Sequence, residues 1–523
     1  MSCKAEADVG APTAPAAAAA LPSGASSPQR TDPAALAQSA RDAAALLEAV
    51  IDDRGLLALL DRDLRRRLME AAGRASKPDA AARRKLRKSL RHQESAAARQ
   101  AERALVATTG IRKLRENPIF QTPRRGDANS APGAALPPPL GEIREPRTCY
   151  VCRQPFTVVH FFYDQMCPTC GDFNYRKRDQ RGDLRGRVAL VTGGRVKIGF
   201  QAALMLLRSG CSVIVTTRFP RDAARRYAAE ADFAAWAHRL EIHAIDLRHI
   251  PNVEALCAHL RARHARLDFL INNACQTVRR PPGFYQHLIA AELDPALRLD
   301  GPAALLLDPS ASAGAVVLKN DNALPPAALS QIPLVSGDEA RGEALFPLGA
   351  LDADEQQVDL RTLSSWRLRM ADVPTVELLE VHLVNAVAPY LLNARLKPLM
   401  LAVPTRDAHI VNVSAMEGQF YRSCKSDRHP HTNMAKAALN MMTRTAALDY
   451  VRDGIHMNSV DTGWVTDEDP AAIAAHKREM HDFSPPLDVV DGAARIVDPI
   501  FTGLAAGRHV WGQFLKDYKI TDW

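Results

Sequence analysis

The sequence predicts a doubly wound α/β protein built on a parallel sheet, preceded by a small cysteine-paired module and an N-terminal helical region. Three observations predict it. Short apolar runs alternate with helical segments through the C-terminal two-thirds: "RVALVTGG", "CSVIVTTR", "LEIHAIDL", "LDFLINNA", "AHIVNVSA" and "GIHMNSVD". Such runs read as buried parallel strands joined by helical crossovers. Two CxxC pairs precede the first of these strands. Before those pairs, apolar residues recur only at helical spacing, as in Leu46, Leu47, Val50 and Ile51.

A length of 523 residues suggests two to four domains. No run of 18 or more apolar residues occurs, so no transmembrane helix and no membrane association are expected. Residues 1–31 are mostly Ala, Pro, Ser and Gly with little periodicity, and are expected to be a disordered tail. Residues 32–116 are expected to form a helical hairpin or bundle, broken at Gly55. The prolines of residues 117–146 predict a linker. The net charge of +8 is modest, but six of the nine residues from Arg83 to Arg91 are basic. That run is either a solvated helix face or a surface for nucleic acid.

Nine cysteines without a secretion signal point to a cytoplasmic protein that uses thiols for metal rather than disulfides. In "CYVCRQPFTVVHFFYDQMCPTC" fourteen residues separate the pair Cys149 and Cys152 from the pair Cys167 and Cys170. Each CxxC wraps two thiolates around one face of a tetrahedral ion, and four thiolates close the shell. Residues 147–178 are therefore expected to be a zinc-ribbon-like module with a structural zinc. His160 is a substitute ligand or a packing residue.

After the first strand comes Thr192, Gly193, Arg195, Lys197, Ile198 and Gly199, opening a helix. A tight turn at Gly193 and close helix approach at Gly199 let a phosphate rest on the helix N-terminus. The second strand ends in Arg218 where an acidic residue would hold a ribose 2′-hydroxyl. Arg218 and Arg195 suit a 2′-phosphate instead, so NADP(H) is favoured over NAD(H). Together with "IDLRHI", "INNACQ", "VHLVNAVAPYLL", "HPHTNMAKAALN" and "NSVDTGWVT", in this order, the pattern resembles the short-chain dehydrogenase/reductase family over residues 184–523. The resemblance implies a Rossmann-type domain with Asp246 at the adenine and Asn273 and Ala274 beside the glycine turn. It implies Asn385 in a structural and proton-relay role, Lys436 on the cofactor ribose, and Gly463, Val465 and Thr466 near the nicotinamide.

Several positions depart from the family. Lys197 takes the middle glycine, where it either crowds the pyrophosphate or contacts it. Cys275 and Thr462 replace a glycine and a proline. From Cys275 to Asn385 is 110 positions, so an insertion at about 276–375 is expected to overhang the cofactor cleft. The family's acid–base Tyr stands four residues before its Lys; here that residue is Thr432. Ala415 occupies the serine position, one after Ser414. An aliphatic hydroxyl is too weak an acid to replace a phenol, so Thr432 is expected to be a helix N-cap or a substrate hydrogen-bonding group. The pair Tyr421 and Lys425 has the right spacing but no following helix pattern. Tyr421 and the histidines 429 and 431 are the alternative acids. Two readings follow: an atypical NADP(H)-dependent oxidoreductase of unknown small-molecule substrate, or a cofactor-binding pseudoenzyme acting through its zinc and basic helical modules. The family often forms dimers or tetramers, so a homo-oligomer is possible.

Overall fold

The computed structural model describes residues 32–123, 135–307 and 316–523, leaving out 295, 298, 300, 318–323, 340, 341, 343, 422–424, 467, 470, 482 and 483. The segment expected to be a disordered tail, 1–31, lies outside the described residues. The chain divides into two compact units, residues 1–101 and 102–523.

The first unit is helical, with Pro33–Asp52, Arg62–Ser76 and the first part of Ala80–Ala107. Asp32 caps the first helix by accepting from the Ala34 amide at 3.0 Å. The expected packed bundle is not present: among the described residues up to 101 only Val50 is buried. The reason lies in composition. The helix "RDLRRRLMEAAGRAS" offers Leu64, Leu68 and Met69 among five arginines, too narrow a stripe to close a core. The basic run Arg83–Arg91 lies on an exposed helix face.

In the second unit a hairpin of β1 (Gly141–Thr148) and β2 (Pro155–Val159) precedes a nine-stranded sheet. The sheet strands are β3 (Val188–Thr192), β4 (Ser212–Thr217), β5 (Leu240–Ala244), β6 (Phe269–Asn272), β7 (Val316–Val317), β8 (Ala408–Ser414), β9 (Ile455–Asp461), β10 (Phe514–Lys516) and β11 (Lys519–Thr521). Their order is β11-β10-β9-β8-β6-β3-β4-β5-β7, parallel throughout except for the β10–β11 pair. All six predicted strands are present. The chain reverses direction across the sheet between β3 and β6, the place where such folds bind dinucleotides.

Strand alternation builds two cores. Ala189, Val191, Val213 and Val215 face the helices Lys197–Arg208 and Val489–Ala506. Leu190, Ile214 and Leu270 face Ile250–Arg263 and Ala388–Leu401. The insertion adds a small third core, in which Phe284, Tyr285, Leu288, Ala327 and Phe346 surround Phe219 just beyond β4.

The expected linker at 117–146 needs correction. Residues 141–148 are strand β1, and the segment before 124 is docked. The Phe120 amide donates to the Ala353 carbonyl at 2.6 Å, and Thr122 donates to Glu230 at 2.8 Å. The cysteine module is likewise not a tethered unit. Ile111, Cys149, Phe156, Phe162, Tyr163 and Met166 share one apolar cluster with Val465, Leu487, Val489 and Val490.

Candidate dinucleotide and catalytic site

The turn after β3 has the close contacts a glycine-rich loop requires. Gly193 has φ 69°, and a Cβ there would come 3.0 Å from the Ala274 Cα. A Cβ on Gly199 would lie 2.3 Å from both Asn273 Nδ2 and the Gly193 carbonyl oxygen. Asn273 is held by donating to the Thr192 and Gly193 carbonyls at 3.1 and 3.3 Å. The Ala274 amide donates to the Thr192 hydroxyl at 3.0 Å. The helix that follows begins at Lys197 and, through Ile198, also touches both apolar clusters beside it. The cradle thus fits a dinucleotide pyrophosphate, with only glycine tolerated where backbones meet.

Lys197 sits at φ 56° at the first helical position, a left-handed conformation that glycine adopts without strain. Its ammonium lies 3.9 Å from Asp354 of the insertion. Burial pulls its pKa down, but Asp354, Glu468 and Asp352 outweigh that and hold it above its ordinary value. Lys197→Gly is expected to stabilise the fold by up to about 1 kcal/mol, because a strained left-handed residue costs about 1–2 kcal/mol and a long, partly exposed ion pair contributes about 0–1. Thermal unfolding reads the sign; a fall in Tm would mean that the Asp354 contact outweighs the strain.

Arg195 is not free for a 2′-phosphate, which corrects its expected role. Its guanidinium is buried and donates to Asp222 and Gln356, both at 2.6 Å. Burial lowers its pKa below the ordinary value despite Asp222. Arg218 is half-buried and donates to the Tyr285 hydroxyl at 2.7 Å, with its guanidinium 4.5 Å from that ring centre. Burial raises the Tyr285 phenol, yet the Arg218 charge and hydrogen bond bring it below its ordinary value. Asp246 is buried and chelated by Arg248, which also reaches Glu380 at 2.7 Å. Burial pushes the Asp246 carboxyl up, but Arg248 wins and holds it low.

At the other end of the cleft, Lys436 and Thr432 lie on the helix Pro430–Arg452 and both are buried. Lys436 Nζ donates to the Val413 carbonyl of β8 at 2.8 Å. The Thr432 hydroxyl has no hydrogen-bond partner, nor does the buried Ser414 hydroxyl at the end of β8. Thr432 is not an N-cap, because the helix starts at Pro430 with His429 in the cap position at φ 41°. His429 stacks on Trp366 of the insertion, with ring centres 3.8 Å apart. His431 is buried, makes no hydrogen bond, and has Nε2 3.5 Å from Glu377 Oε1.

Asn385 occupies a π-helical turn, Leu383–Val387, and clamps the Gln276 backbone. Its Oδ1 accepts from the amide at 2.7 Å and its Nδ2 donates to the carbonyl at 3.1 Å. Tyr421 is corrected outright: it is 90% exposed and does not enter the cleft.

The segment expected near the nicotinamide rests on the cysteine module. The Trp464 amide donates to the Tyr150 hydroxyl at 3.0 Å, and a Cβ on Gly463 (φ 77°) would strike Leu487 at 2.4 Å. Val465 is buried in the shared cluster, while the Thr466 hydroxyl donates to Glu468 at 2.7 Å. Around it, Tyr163 donates to Asp491 at 2.5 Å and Arg178 pairs with Asp488 at 2.7 Å. Within the module the Cys149, Cys152, Cys167 and Cys170 sulfurs all lie within 4.8 Å of one another. His160 is excluded as a ligand by its own bonds. Its Nδ1 accepts from the Phe162 and Tyr163 amides at 3.0 and 3.1 Å, and Nε2 contacts Asp172 at 3.1 Å.

Sequence reasoning missed the buried polar network beneath the cleft. Asn272 donates to Asn393 and Asn412, each at 2.8 Å, and Asn412 donates to Thr443 at 2.9 Å. It also missed Tyr150 and Glu377.

A parallel sheet reversing beside a glycine turn, with lysine and asparagine on the facing helices, defines a dinucleotide-binding fold of the reductase type. The family profile described as short chain dehydrogenase matches residues 187–290, and that described as Enoyl-(Acyl carrier protein) reductase matches 363–487. The chain belongs to the short-chain dehydrogenase/reductase family. It is 31% identical to an uncharacterized protein of Acanthamoeba polyphaga mimivirus over 68% of this chain and 71% of that one. It is 39% identical to Sus scrofa carbonyl reductase (NADPH) 1 over 88 residues, 17% of this chain and 30% of that protein. Human dehydrogenase/reductase SDR family member 13 is 35% identical over 22% of this chain and 29% of that protein. The chain thus spans under a third of the length of these two reductases. Among solved structures, the Pseudomonas aeruginosa RhlG/NADP complex is 17% identical, covering 64% of this chain and 95% of its own at a TM-score of 0.39.

Proposed function

We propose that the chain is an NADP(H)-binding oxidoreductase with a non-standard acid–base site, acting on a small molecule. One observation carries the reading: the close backbone approaches at Gly193 and Gly199 are kept, and the unpartnered hydroxyl of Thr432 lies one turn before Lys436 on the same helix. When bound, the nicotinamide supplies or accepts hydride. Lys436 would hold the ribose, Arg218 the 2′-phosphate, and Thr432 a polar group of the substrate. With Thr432 replacing the phenol and Tyr421 in solvent, the proton would come from His431 or from the substrate.

Arg218 gives the cofactor test. A charge-assisted contact contributes about 1.5–3 kcal/mol, roughly 10–150-fold in affinity. NADP(H) is expected to bind more tightly than NAD(H), and Arg218→Glu is expected to abolish that preference. Calorimetry showing equal affinities in the unmodified chain removes the assignment.

A second reading, a cofactor-binding pseudoenzyme, is supported by the insertion. It gives Gln356 to Arg195, Asp354 to Lys197 and the Tyr285 hydroxyl to Arg218, so the cradle's cations already have partners. NADPH oxidation against a carbonyl panel, run beside cofactor calorimetry, separates the two readings. Tight binding without turnover identifies the pseudoenzyme.

The cysteine cluster is proposed to hold a structural zinc, with four thiols converging and His160 otherwise engaged. The proposal of a homo-oligomer is supported by Leu379, Tyr390, Met434, Met441 and Leu448, all exposed on the helices Thr375–His382, Ala388–Leu401 and Pro430–Arg452. An exposed apolar patch of this kind favours self-association.

A further inference from the structure

The parallel strands carry the cofactor loops at their C-terminal ends. At the opposite edge, three histidines converge. His409 is the second residue of β8 and His456 the second of β9, and the two are direct partners in the parallel ladder. His509 follows the helix Val489–Ala506, after Gly507 has turned the chain at φ 60°. We propose that His409, His456 and His509 form a second metal site, for a divalent cation of zinc-like softness.

The geometry supports this in four ways. One nitrogen from each ring lies within 4.8 Å of the others, and His409 Nε2 stands 2.9 Å from His509 Nδ1. Imidazole nitrogens bind zinc at about 2.0–2.1 Å, which sets tetrahedral donors about 3.3 Å apart, so a slight parting of His409 and His509 and an approach of His456 place three donors around one ion. Second, the His456 Nδ1 faces the Ala408 carbonyl at 3.2 Å. Donation there puts the lone pair on Nε2, and a backbone carbonyl commonly orients a metal-ligating histidine in this way. Third, the cluster's polar capacity is unmet. His409 is fully buried and its Nδ1 has no hydrogen-bond partner, while a single proton serves its contact with His509. Three packed rings with so few bonds are a poor way to fill a core. Fourth, space has been left for them. A Cβ on Gly503 would fall 2.6 Å from His509 Nδ1 and 3.2 Å from His409 Cε1.

The charge nearby does not forbid a cation. Arg187 is paired bidentately with Asp407 at 2.5 and 2.7 Å and also reaches Asp268 at 3.2 Å. A second grouping, Glu241, His243 and His259, is less suited. The Glu241 carboxylate already contacts His243 at 2.6 Å, Arg263 at 3.3 Å and His264 at 3.4 Å. Three imidazoles leave a fourth coordination position for water, unlike the closed set of four thiolates.

The test uses the full chain, stripped of metal and titrated with cobalt(II). Thiolate sites give intense near-ultraviolet charge transfer, whereas imidazole sites give only weak visible bands. Saturation at two equivalents is expected, with the second adding visible absorption alone. The double change His456→Ala with His509→Ala is expected to remove that second component and leave the charge-transfer band. Saturation without any imidazole-type component in the unmodified chain overturns the proposal, whatever the variant does. So does a folded double variant, checked by circular dichroism, that keeps the full visible spectrum.

Discussion

Replacing Cys149 and Cys167 by serine is expected to remove the zinc proposed for the four-cysteine cluster and to destabilise the cofactor domain itself. In small metal-dependent domains structural zinc contributes about 10–16 kcal/mol of apparent binding free energy, comparable with the whole stability of a domain, about 5–15 kcal/mol. Here the module has its own packing against the core, so the loss should be smaller than in a free zinc finger. It should still exceed the loss of one buried ion-pair partner such as Arg178, which costs about 3–5 kcal/mol. The effect should reach the cofactor. Cys149 and Val465 share one apolar cluster, and Tyr150 accepts from the Trp464 amide. We expect a marked fall in Tm and at least a roughly tenfold weaker cofactor affinity, a shift of about 1.4 kcal/mol. Metal analysis, thermal unfolding and calorimetry on the double variant check this. Unchanged zinc content and Tm would show that the cysteines are only packing residues.

Simple ketones are expected to turn over very slowly. Hydride transfer builds negative charge on the carbonyl oxygen, which needs hydrogen bonds and then a proton. Loss of a positioned general acid costs about 10²–10⁴-fold. Loss of an oxyanion donor costs about 10²–10³-fold more. The resemblance assigns Thr432 and Ala415 to the positions of the family's phenol and serine, and Tyr421 is in solvent. The double change Thr432→Tyr with Ala415→Ser is therefore expected to raise ketone turnover by two orders of magnitude or more. Thr432 is buried, so the added ring should also cost about 1–3 kcal/mol through overpacking. If turnover exists in the unmodified chain and His431 is its acid, His431→Gln should abolish it. Ordinary family rates on simple ketones, insensitive to His431, would contradict this account.

Much of the fold was legible because its signals are local. The strand runs, the glycine turn and the CxxC pairs each specify geometry over a few residues. Gly199 could be read as a site of close approach, and a Cβ there does collide with Asn273. Lys436 was legible because helical spacing places it one turn after residue 432. Arg195 and Tyr421 were not, since a side chain's availability depends on partners far away. Arg195 meets Gln356 across 161 positions, and no periodicity in either segment announces that contact. The helical hairpin or bundle expected near the N-terminus was legible only as its helices. Its stripes show helix but not whether enough apolar area exists to close a core.

The sequence by itself determined the doubly wound sheet, the family and the four-thiol cluster. These are properties of residue type and short spacing, which bond geometry and side-chain chemistry make readable in one dimension. Only the tertiary structure decided that the cysteine module shares a core with the nicotinamide segment, that the insertion partners the cradle's cations, and that three distant histidines meet. Those outcomes depend on which surfaces exclude water against each other, and burial of that kind is settled by packing in three dimensions rather than by any local run of residues.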